Sequence, residues 1–448
     1  MRCPTTTGPD VFREYPVPIR LNAGEPDFES RFETFLGTKR EASPDVEEAV
    51  RSIIARIRSE GDAALVDLTR RFDGLDLASG GLRVGPGEIA AAVEATPQAT
   101  LDALKFAHER IRRHHERQRP KDDLYTDALG ATLGARWTAI RSVGLYVPGG
   151  AASYPSSVLM NAVPAVVAGV GRIAMVVPAR SGELNPLVLA AAHIAGVDEI
   201  YRIGGAQAVA ALAYGTESIA PVAKIVGPGN AYVAAAKRQV FGTVGIDMIA
   251  GPSEVLVIAD RDNNPDWVAA DLLAQAEHDT AAQSILITDD ASFAQSVMEA
   301  VDRQLRRLPR ETTARASWDD FGAVILVQDL ERDAPPLADR IAAEHLEIAT
   351  AEPERLLDRI TDAGAAFLGR HTPEVIGDYV SGSNHVLPTA RSARFSSGLG
   401  VLDFMKRTSV LKLTPESLAA LAPAAVELAR VEGLDAHARS VSIRLNMS

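Results

Sequence analysis

Four short segments in the last two fifths of the chain hold most of the side chains that could bind a metal ion or transfer a proton. These segments are LLAQAEHDT, AAEHLEIAT, GDYVSGSNHVLPT and EGLDAHARS. Their acidic, amide and imidazole residues are Gln275, Glu277, His278, Glu344, His345, Asp378, His385, Glu432 and His437. Imidazole nitrogens and carboxylate or amide oxygens bind divalent metals, and a further imidazole or carboxylate can act as a general base. The segments therefore predict a metal site with a base beside it.

The spacing of these residues supports the metal site only in part. Gln275 and His278 are three residues apart on a predicted helix, so their side chains leave the same helix face. Taken alone, such a pair is also typical of a helix end or of a surface. Asp378 and His437 could complete a tetrahedral shell of nitrogen and oxygen atoms, but their spacing does not show that they meet.

Composition and charge narrow the class of protein. Cys3 is the only cysteine, which excludes an internal disulfide and a thiolate zinc site, so any metal must be held by nitrogen and oxygen. A net charge of -13 argues against nucleic acid or an anionic membrane as the main partner. The start of the chain lacks the apolar run of a signal peptide, and we expect a cytoplasmic protein.

The longest apolar stretch, residues 158–179, is interrupted by Asn161, Pro164 and Arg172. It therefore predicts a buried helix followed by a strand and not a membrane span. Upstream, residues from about 46 to 119 have apolar positions at helical spacing, which predicts helices. In the second of these helices, which is highly charged, His108, His114 and His115 are predicted to face solvent.

From residue 142 onward, short β-rich runs alternate with helical stretches. The runs SVGLYVPGG, RIAMVVPA, EIYRIGG and KIVGPG form one set, and a second set begins with SEVLVIAD. Strands alternating with helices predict an α/β fold with parallel sheets, here two domains sharing one cleft. Glycine corners at residues 148–150, 204–208 and 227–232 follow strands and open helices. Such corners can bind a phosphate or can be plain turn geometry, and both interpretations remain open.

Eight segments, in matching order from about residue 40 to the end, resemble those of the histidinol dehydrogenase family. They are VGLYVPGG, GGAQAVAALAYGTESI, KIVGPGNAYVAAAKRQV, AGPSEVLVIAD, LLAQAEH, AEHLEIAT, GDYVSGSNHVLPT and EGLDAHARSVSIRL. The resemblance implies oxidation of L-histidinol through L-histidinaldehyde to L-histidine, the last steps of histidine biosynthesis. It also implies two NAD+ per turnover, one zinc ion per subunit, and a homodimer whose active site is shared between subunits.

The resemblance also implies roles for individual residues. The zinc ligands would be Gln275, His278, Asp378 and His437, with His437 reaching over from the partner subunit. Glu344 and His345 would be the acid and base of the chemistry, although on spacing alone this pair would also fit a helix cap.

Further residues would contact the substrate and the cofactor. Ser253, His385 and Glu432 would bind the substrate together with His345 and the zinc ligands. Tyr146, Gln207 and Asn230 would bind NAD. Two alternatives stay open, which are a related NAD-dependent dehydrogenase of another small polar alcohol and, in a different class, a zinc hydrolase.

The predicted architecture has two parallel-sheet, incomplete Rossmann-like domains, a helical N-terminal part and a small C-terminal extension. We place residues 1–124 and 253–395 in a discontinuous metal and substrate domain. Residues 125–252 form an inserted NAD-binding domain. Residues 396–448 form a dimerisation extension that supplies one ligand to the partner.

Overall fold

The computed structural model of the protein describes residues 18–37, 44–77, 81–149, 154–179, 182–249 and 251–446. Cys3, the only thiol, lies outside these ranges. The strands form three sheets. In chain order the strands are β1 Ile19–Asn22, β2 Asp123–Thr126, β3 Thr132–Ala139, β4 Ser142–Tyr146, β5 Arg172–Val176, β6 Glu199–Tyr201, β7 Lys224–Val226, β8 Gly245–Ile246, β9 Glu254–Ala259, β10 Gln283–Thr288, β11 Ala323–Leu326, β12 His345–Ala349, β13 Ala365–Leu368 and β14 Met405–Lys412.

The α-helices of the described ranges cover the faces of these sheets. They are α1 Phe28–Leu36, α2 Pro44–Glu60, α3 Asp62–Asp73, α4 Pro86–Ala95, α5 Gln98–Glu116, α6 Pro155–Ala168, α7 Pro186–Ile194, α8 Gly205–Tyr214, α9 Ala231–Val240, α10 Pro265–Ala276, α11 Ala291–Leu305, α12 Glu311–Phe321, α13 Leu330–Ile341, α14 Pro353–Leu357, α15 Val375–Tyr379, α16 Pro415–Val431 and α17 Asp435–Ser442. Within these ranges no helix combines the length and the apolar run that crossing a bilayer requires.

The first large sheet, sheet A, has the strand order β1-β11-β10-β9-β12-β13, and every neighbouring pair is parallel. All residues of β9 and β10 are buried. Their sequences, EVLVIA and QSILIT, are almost continuously apolar, as expected for parallel strands with helices on both faces. The register sets His345 of β12 opposite Val255 of β9.

The second large sheet, sheet B, has the order β6-β5-β4-β7-β8 and is also parallel throughout. The apolar stretch 158–179 forms most of helix α6 and the whole of strand β5, as predicted. The three glycine corners follow β4, β6 and β7. Two parallel sheets with interleaved helices confirm the predicted α/β fold class.

The N-terminal helices pack on sheet B. One hydrophobic cluster joins α2 and α3, through Ile57 and Leu65, to Val176 of β5 and to α8. A second cluster joins α4 and α5 to α6 and α7. By contrast, strand β1 is part of sheet A, and helix α1 packs on that sheet, since Phe32 lies in the same hydrophobic cluster as Ile325. The predicted grouping of residues 1–124 with 253–395 stays a prediction.

The histidines of helix α5 do not all face solvent, so one part of the sequence prediction was wrong. His115 is fully buried, and its ring Nδ1 is 2.8 Å from the carbonyl oxygen of Ile111. Burial lowers the pKa of His115. The reason is periodicity, because Leu104, Ala107, Ile111 and His115 follow one another at three- and four-residue steps along the buried helix face. His108 is half-buried and His114 is exposed.

The C-terminal residues contribute to the core through Leu399, Val401 and Phe404 and continue into a strand and two helices. Strand β14 pairs antiparallel with β3, which pairs with β2, to form a third sheet. Helices α16 and α17 then pack on each other through Val426, Ala429 and Ala438. Large apolar side chains remain uncovered on these helices, since Leu428 is 60% and Val431 70% exposed.

Candidate functional site

A cavity of about 1040 Å³ lies between the two parallel sheets. One wall contains the glycine corners that follow β4 and β7, at the carboxyl edge of sheet B. The other wall contains Ser253, which precedes β9, and Glu344, which precedes β12. Ligands in parallel α/β folds bind at the carboxyl edge of strands. The cavity therefore joins a typical ligand edge of sheet B to polar side chains at the amino edge of sheet A.

Tyr146 and Gly227 illustrate how the sheet B wall is built. The backbone N–H of Gly205, at the second glycine corner, donates to the Tyr146 hydroxyl over 2.9 Å. Burial raises the pKa of Tyr146 to about 12, so the hydroxyl stays neutral. Gly227 has φ of 112°, and a Cβ there would lie 2.1 Å from the Tyr146 carbonyl oxygen. The third corner therefore requires glycine.

A buried ion pair holds this third corner in place, and the sequence analysis missed it. The side chains of Lys237 and Asp247 are 2% and 1% exposed and form a salt bridge. The Lys237 ammonium donates to the Gly227 carbonyl oxygen over 3.0 Å, and Asp247 accepts from the Gly227 N–H over 2.7 Å. Both backbone polar groups of the corner glycine are thus bound by one ion pair.

The other two predicted NAD residues also lie on this side of the cavity. Asn230 lines the cavity and caps helix α9, where its side-chain oxygen accepts from the N–H groups of Tyr232 and Val233 over 3.0 and 3.2 Å. Gln207 lies in the first turns of α8 and is 1% exposed. It is not among the side chains that line the cavity.

His345 and Glu344 are bound to the same backbone unit. The Nδ1–H of His345 donates to the Glu254 carbonyl oxygen over 3.1 Å, while the Glu254 N–H donates to Glu344 over 3.1 Å. With Nδ1 engaged, Nε2 of His345 is left as the basic nitrogen; it is buried and has no hydrogen-bond partner. Burial raises the pKa of Glu344 to about 7, although His345 opposes the rise. A carboxyl group that titrates near neutral pH is therefore adjacent to a buried imidazole.

Glu374 is a further member of the site that the sequence analysis missed. Its carboxylate lies 3.5 Å from Nδ1 of His345, and the residue is 2% exposed. Burial raises the pKa of Glu374 to about 8. The signal was present in the sequence, because Glu374 precedes Asp378 by four residues and so shares its side of a helical turn.

The carboxylates around the imidazole change its protonation. Burial opposes the charged form of His345, but Glu374, Glu344 and Asp378 together raise its pKa well above the usual value. Asp378 contributes a carboxylate oxygen 3.8 Å from Nε2. Three carboxyl groups thus surround one buried imidazole, and a cation in or beside this cluster would favour their ionised forms.

Three of the predicted metal and substrate residues meet at Asp378. Its carboxylate oxygen is 3.9 Å from Nδ1 of His385. Burial lowers the pKa of His278, and Asp378 opposes that effect by its charge. Burial would raise the pKa of Asp378 itself, but the nearby imidazoles of His345, His385 and His278 hold it below its usual value. Asp378 thus brings together residues that are up to 107 positions apart in the chain.

Gln275 and His278 are close, but only one of them lies in a helix. Helix α10 ends at Ala276, so Gln275 is in its last turn and His278 follows in a turn that returns its N–H to the Gln275 carbonyl oxygen at 3.2 Å. The Gln275 side chain is 1% exposed and its amide nitrogen has no partner. Within the ranges that the structure describes, no three His, Cys, Asp or Glu residues are arranged to hold a metal ion.

Glu432 and His437 are not brought to the cavity within one chain. Glu432 follows the last residue of α16 and His437 lies in α17, and both are exposed. Neither belongs to the residues that line the cavity. The assigned roles of the site residues, in metal, substrate and NAD binding, stay predictions.

A cleft between two parallel sheets, lined by glycine corners and by a buried imidazole among carboxylates, is typical of an α/β enzyme. The family model of histidinol dehydrogenase matches residues 37–445 of the chain. The chain is 71% identical over 427 residues to the histidinol dehydrogenase of Brucella melitensis biotype 1, covering 95% of this chain and 99% of that protein. It is 71% identical over 429 residues to that of Mesorhizobium japonicum, covering 96% and 100%.

The fold agrees with a solved member. The crystal structure of histidinol dehydrogenase from Elizabethkingia anophelis matches with a TM-score of 0.91 and 36% identity, covering 96% of this chain and 98% of that one. The chain therefore belongs to the histidinol dehydrogenase family and is an oxidoreductase. This confirms the resemblance found in the sequence and leaves the zinc hydrolase alternative without support.

Proposed function

We propose that this enzyme oxidises L-histidinol to L-histidine through L-histidinaldehyde, with two NAD+ reduced per substrate. Membership of the family supports the choice of substrate. The observation that carries the chemistry is the arrangement of His345 and Glu344 on the two backbone groups of Glu254. In total, one alcohol, one water molecule and two NAD+ give one carboxylate, two NADH and three protons.

In the first oxidation, His345 acts as the base. Its Nδ1–H is bound to the Glu254 carbonyl, so Nε2 takes the hydroxyl proton of the substrate. A positioned general base of this kind contributes roughly 10² to 10⁴ in rate. Glu374, 3.5 Å from Nδ1, stabilises the imidazolium that forms.

The second oxidation needs an oxygen atom from water, and Glu344 serves this step. Cys3 is the only thiol and precedes the described residues, so a thiolate nucleophile is not part of the proposed site. We propose that the aldehyde is oxidised as its hydrate. With a pKa of about 7, Glu344 takes a proton from the water molecule that attacks the aldehyde carbon.

We propose a zinc site formed by Gln275, His278 and Asp378, completed by His437 of a second copy of the chain. The buried amide of Gln275, whose oxygen can ligate a metal, and the imidazole of His278 near Asp378 fit such a site. When bound there, zinc would hold the amine and imidazole of the substrate, and its charge would oppose the carboxylates that raise the pKa of His345.

Ser253 and His385 line the cavity beside this site and would contact the substrate. A pair formed by His385 and the Ser157 hydroxyl, 3.4 Å apart, orients that imidazole. Glu432, like His437, would come from the second copy. A substrate without amine and imidazole groups would leave His385 and Glu432 without hydrogen-bond partners. This argues against the alternative function, which is oxidation of another small polar alcohol.

We propose NAD in the sheet B half of the cavity, with residues 125–252 as the NAD-binding domain and Tyr146, Gln207 and Asn230 as binding residues. The volume of about 1040 Å³ suits a dinucleotide together with a small substrate. When bound, NAD+ would accept the hydride in each oxidation.

We further propose a cytoplasmic homodimer in which residues 396–448 form much of the interface. The uncovered apolar side chains of the C-terminal helices support this, since Val431 is 70% and Ile443 53% exposed. Large apolar side chains exposed together on one part of a protein are typical of an interaction surface.

The stoichiometry of NADH formation tests the proposal. A limiting amount of L-histidinol should give two equivalents of NADH, followed by absorbance at about 340 nm, and L-histidine as the product. His385→Asn is the matched variant, which should raise KM for histidinol more than it lowers kcat. One equivalent of NADH with a stable aldehyde, or no reduction at all, would refute the proposed reaction.

A further inference from the structure

Arg391 is a cation of the cavity wall that forms no salt bridge with any residue the structure describes; the charge of Glu254 acts on it, but the charges of Arg394 and Arg340 oppose that effect. Among the described residues, three lysine and arginine side chains line the cavity, and two of them are engaged, since Lys237 is bound to Asp247 and Arg238 to Glu47. Nε of Arg391 is buried and has no hydrogen-bond partner. In the described part of the chain, its guanidinium takes part in no salt bridge. A partly buried guanidinium without a partner is costly and is expected to bind an anion.

The loop that carries Arg391 is held in a strained conformation. Ala390 and Arg391 have φ of 52° and 62°, in the left-handed region that residues with a Cβ rarely adopt. Such strain persists only where surrounding contacts maintain it, and it is concentrated at ligand sites. Here the Ser392 N–H and hydroxyl both donate to the Thr389 carbonyl oxygen, over 3.0 and 2.6 Å.

The same loop is tied to the sheet B wall. The Gly251 N–H donates to the Thr389 hydroxyl over 2.6 Å, and a Cβ on Gly251 would lie only 3.0 Å from that of Ala390. Gly251 follows strand β8 by a few residues, as does Asp247, which binds the Gly227 N–H. Arg391 therefore lines the same cavity as the third glycine corner and the start of helix α9.

We propose that Arg391 binds the pyrophosphate of NAD together with the glycine corners that line the same cavity. This inference rests on the proposed function, because it assigns a residue to the NAD site. Histidinol is a cation and would be repelled by a guanidinium, whereas the pyrophosphate is the anionic group of the dinucleotide. A guanidinium matches a phosphate with two parallel hydrogen bonds, which the backbone N–H groups of the glycine corners cannot duplicate.

The test compares ligands that differ in the pyrophosphate. Arg391→Asn removes the charge but keeps a residue that tolerates the left-handed conformation, and Arg391→Lys restores a charge. By calorimetry, Arg391→Asn should weaken ADP-ribose binding by about tenfold or more and leave adenosine and L-histidine binding unchanged. Arg391→Lys should recover part of the loss. Arg306→Asn, at an exposed arginine outside the cavity, is the matched control and should change nothing.

A second measurement needs no variant. Added salt should weaken the binding of ADP-ribose by the wild-type enzyme and leave that of adenosine unaffected. Equal ADP-ribose affinity in wild type and Arg391→Asn would overturn the inference, as would a wild-type enzyme that binds no ADP-ribose. A loss confined to L-histidine binding would also overturn it, since the charge would then serve the product carboxylate. A different result would refute the proposed function itself: no reduction of NAD+ by histidinol in the wild-type enzyme.

Discussion

Removal of one partner of the ion pair between Lys237 and Asp247 should change the free energy of unfolding by an amount that the structure allows us to calculate. Both side chains are almost fully buried, and together they bind the N–H and C=O groups of Gly227. Asp247→Asn keeps the side-chain volume but leaves the ammonium of Lys237 buried without a counter-charge. Removing one partner of a buried pair costs about 3 to 5 kcal/mol. We expect the free energy of unfolding to fall by about that amount.

The reverse variant should be milder. In Lys237→Met, Asp247 still accepts backbone N–H bonds from Gly227 and Met248, each over 2.7 Å. The double variant Lys237→Met with Asp247→Asn removes both charges and fills the space of the lysine stem. It should therefore be more stable than Asp247→Asn alone, because replacement of a buried ion pair by neutral groups of similar volume is often tolerated.

The double variant should nevertheless bind NAD+ less well. Without the pair, the Gly227 corner loses the hydrogen bond from Lys237, and a loss of about 1 kcal/mol raises KM for NAD+ about fivefold. KM for histidinol should stay unchanged, since the pair lies on the sheet B wall. Stability is read by urea unfolding followed by circular dichroism, and KM by NADH formation.

The exposed pair of Arg31 and Glu25 provides the control. Their side chains are 44% and 45% exposed, so Glu25→Gln should change stability by less than about 1 kcal/mol. A double variant as unstable as Asp247→Asn would refute the reasoning, because an unpaired buried charge would then not be the cause of the loss. An Asp247→Asn variant with wild-type stability would refute it equally.

Three further outcomes are expected from the same structure. His345→Asn should retain bound metal but lower kcat by roughly 10² or more, since Nε2 is the proposed base; near-normal turnover would remove it from the mechanism. The pKa of Glu344 is raised from 4.5 to about 7 in the folded protein, so its contribution to stability is present below pH 4.5 and is lost as pH rises through 7. Relative to Glu344→Gln, the wild type should thus lose about 3 kcal/mol of unfolding free energy over that window, and a pH-independent difference would contradict the burial effect. His437→Ala should lose zinc and activity while the chain still folds, and hybrid dimers with a His345 variant should regain activity; no recovery after confirmed subunit exchange would favour a site within one chain.

Much of the fold could be predicted from local patterns. Strands such as EVLVIA and QSILIT are apolar at nearly every position, which indicates burial on both faces of a parallel sheet. The helix and strand within 158–179 followed from breaks at Asn161, Pro164 and Arg172. These predictions succeeded because the periodicity of a segment depends on its immediate surroundings.

The packing of the N-terminal helices and the burial of His115 could not be predicted in the same way. His115 lies in a charged segment, and only the contact of α5 with α6 and α7 makes its face an interior one. A helix of mixed composition has more than one face that could be buried. Which face is used depends on the partner that the fold brings to it.

The candidate site, too, has features that the sequence predicts and features that only the structure shows. The sequence by itself determined the family, the glycine corners and the residue types available for chemistry, because these belong to short segments that can be read in order. Only the tertiary structure decided that Glu374 lies beside His345, that Lys237 and Asp247 hold Gly227, and that Nε of Arg391 finds no hydrogen-bond partner in the described part of the chain. Each of these facts depends on how separate elements pack against one another, and burial is what turns such packing into a shifted pKa or an unsatisfied polar group.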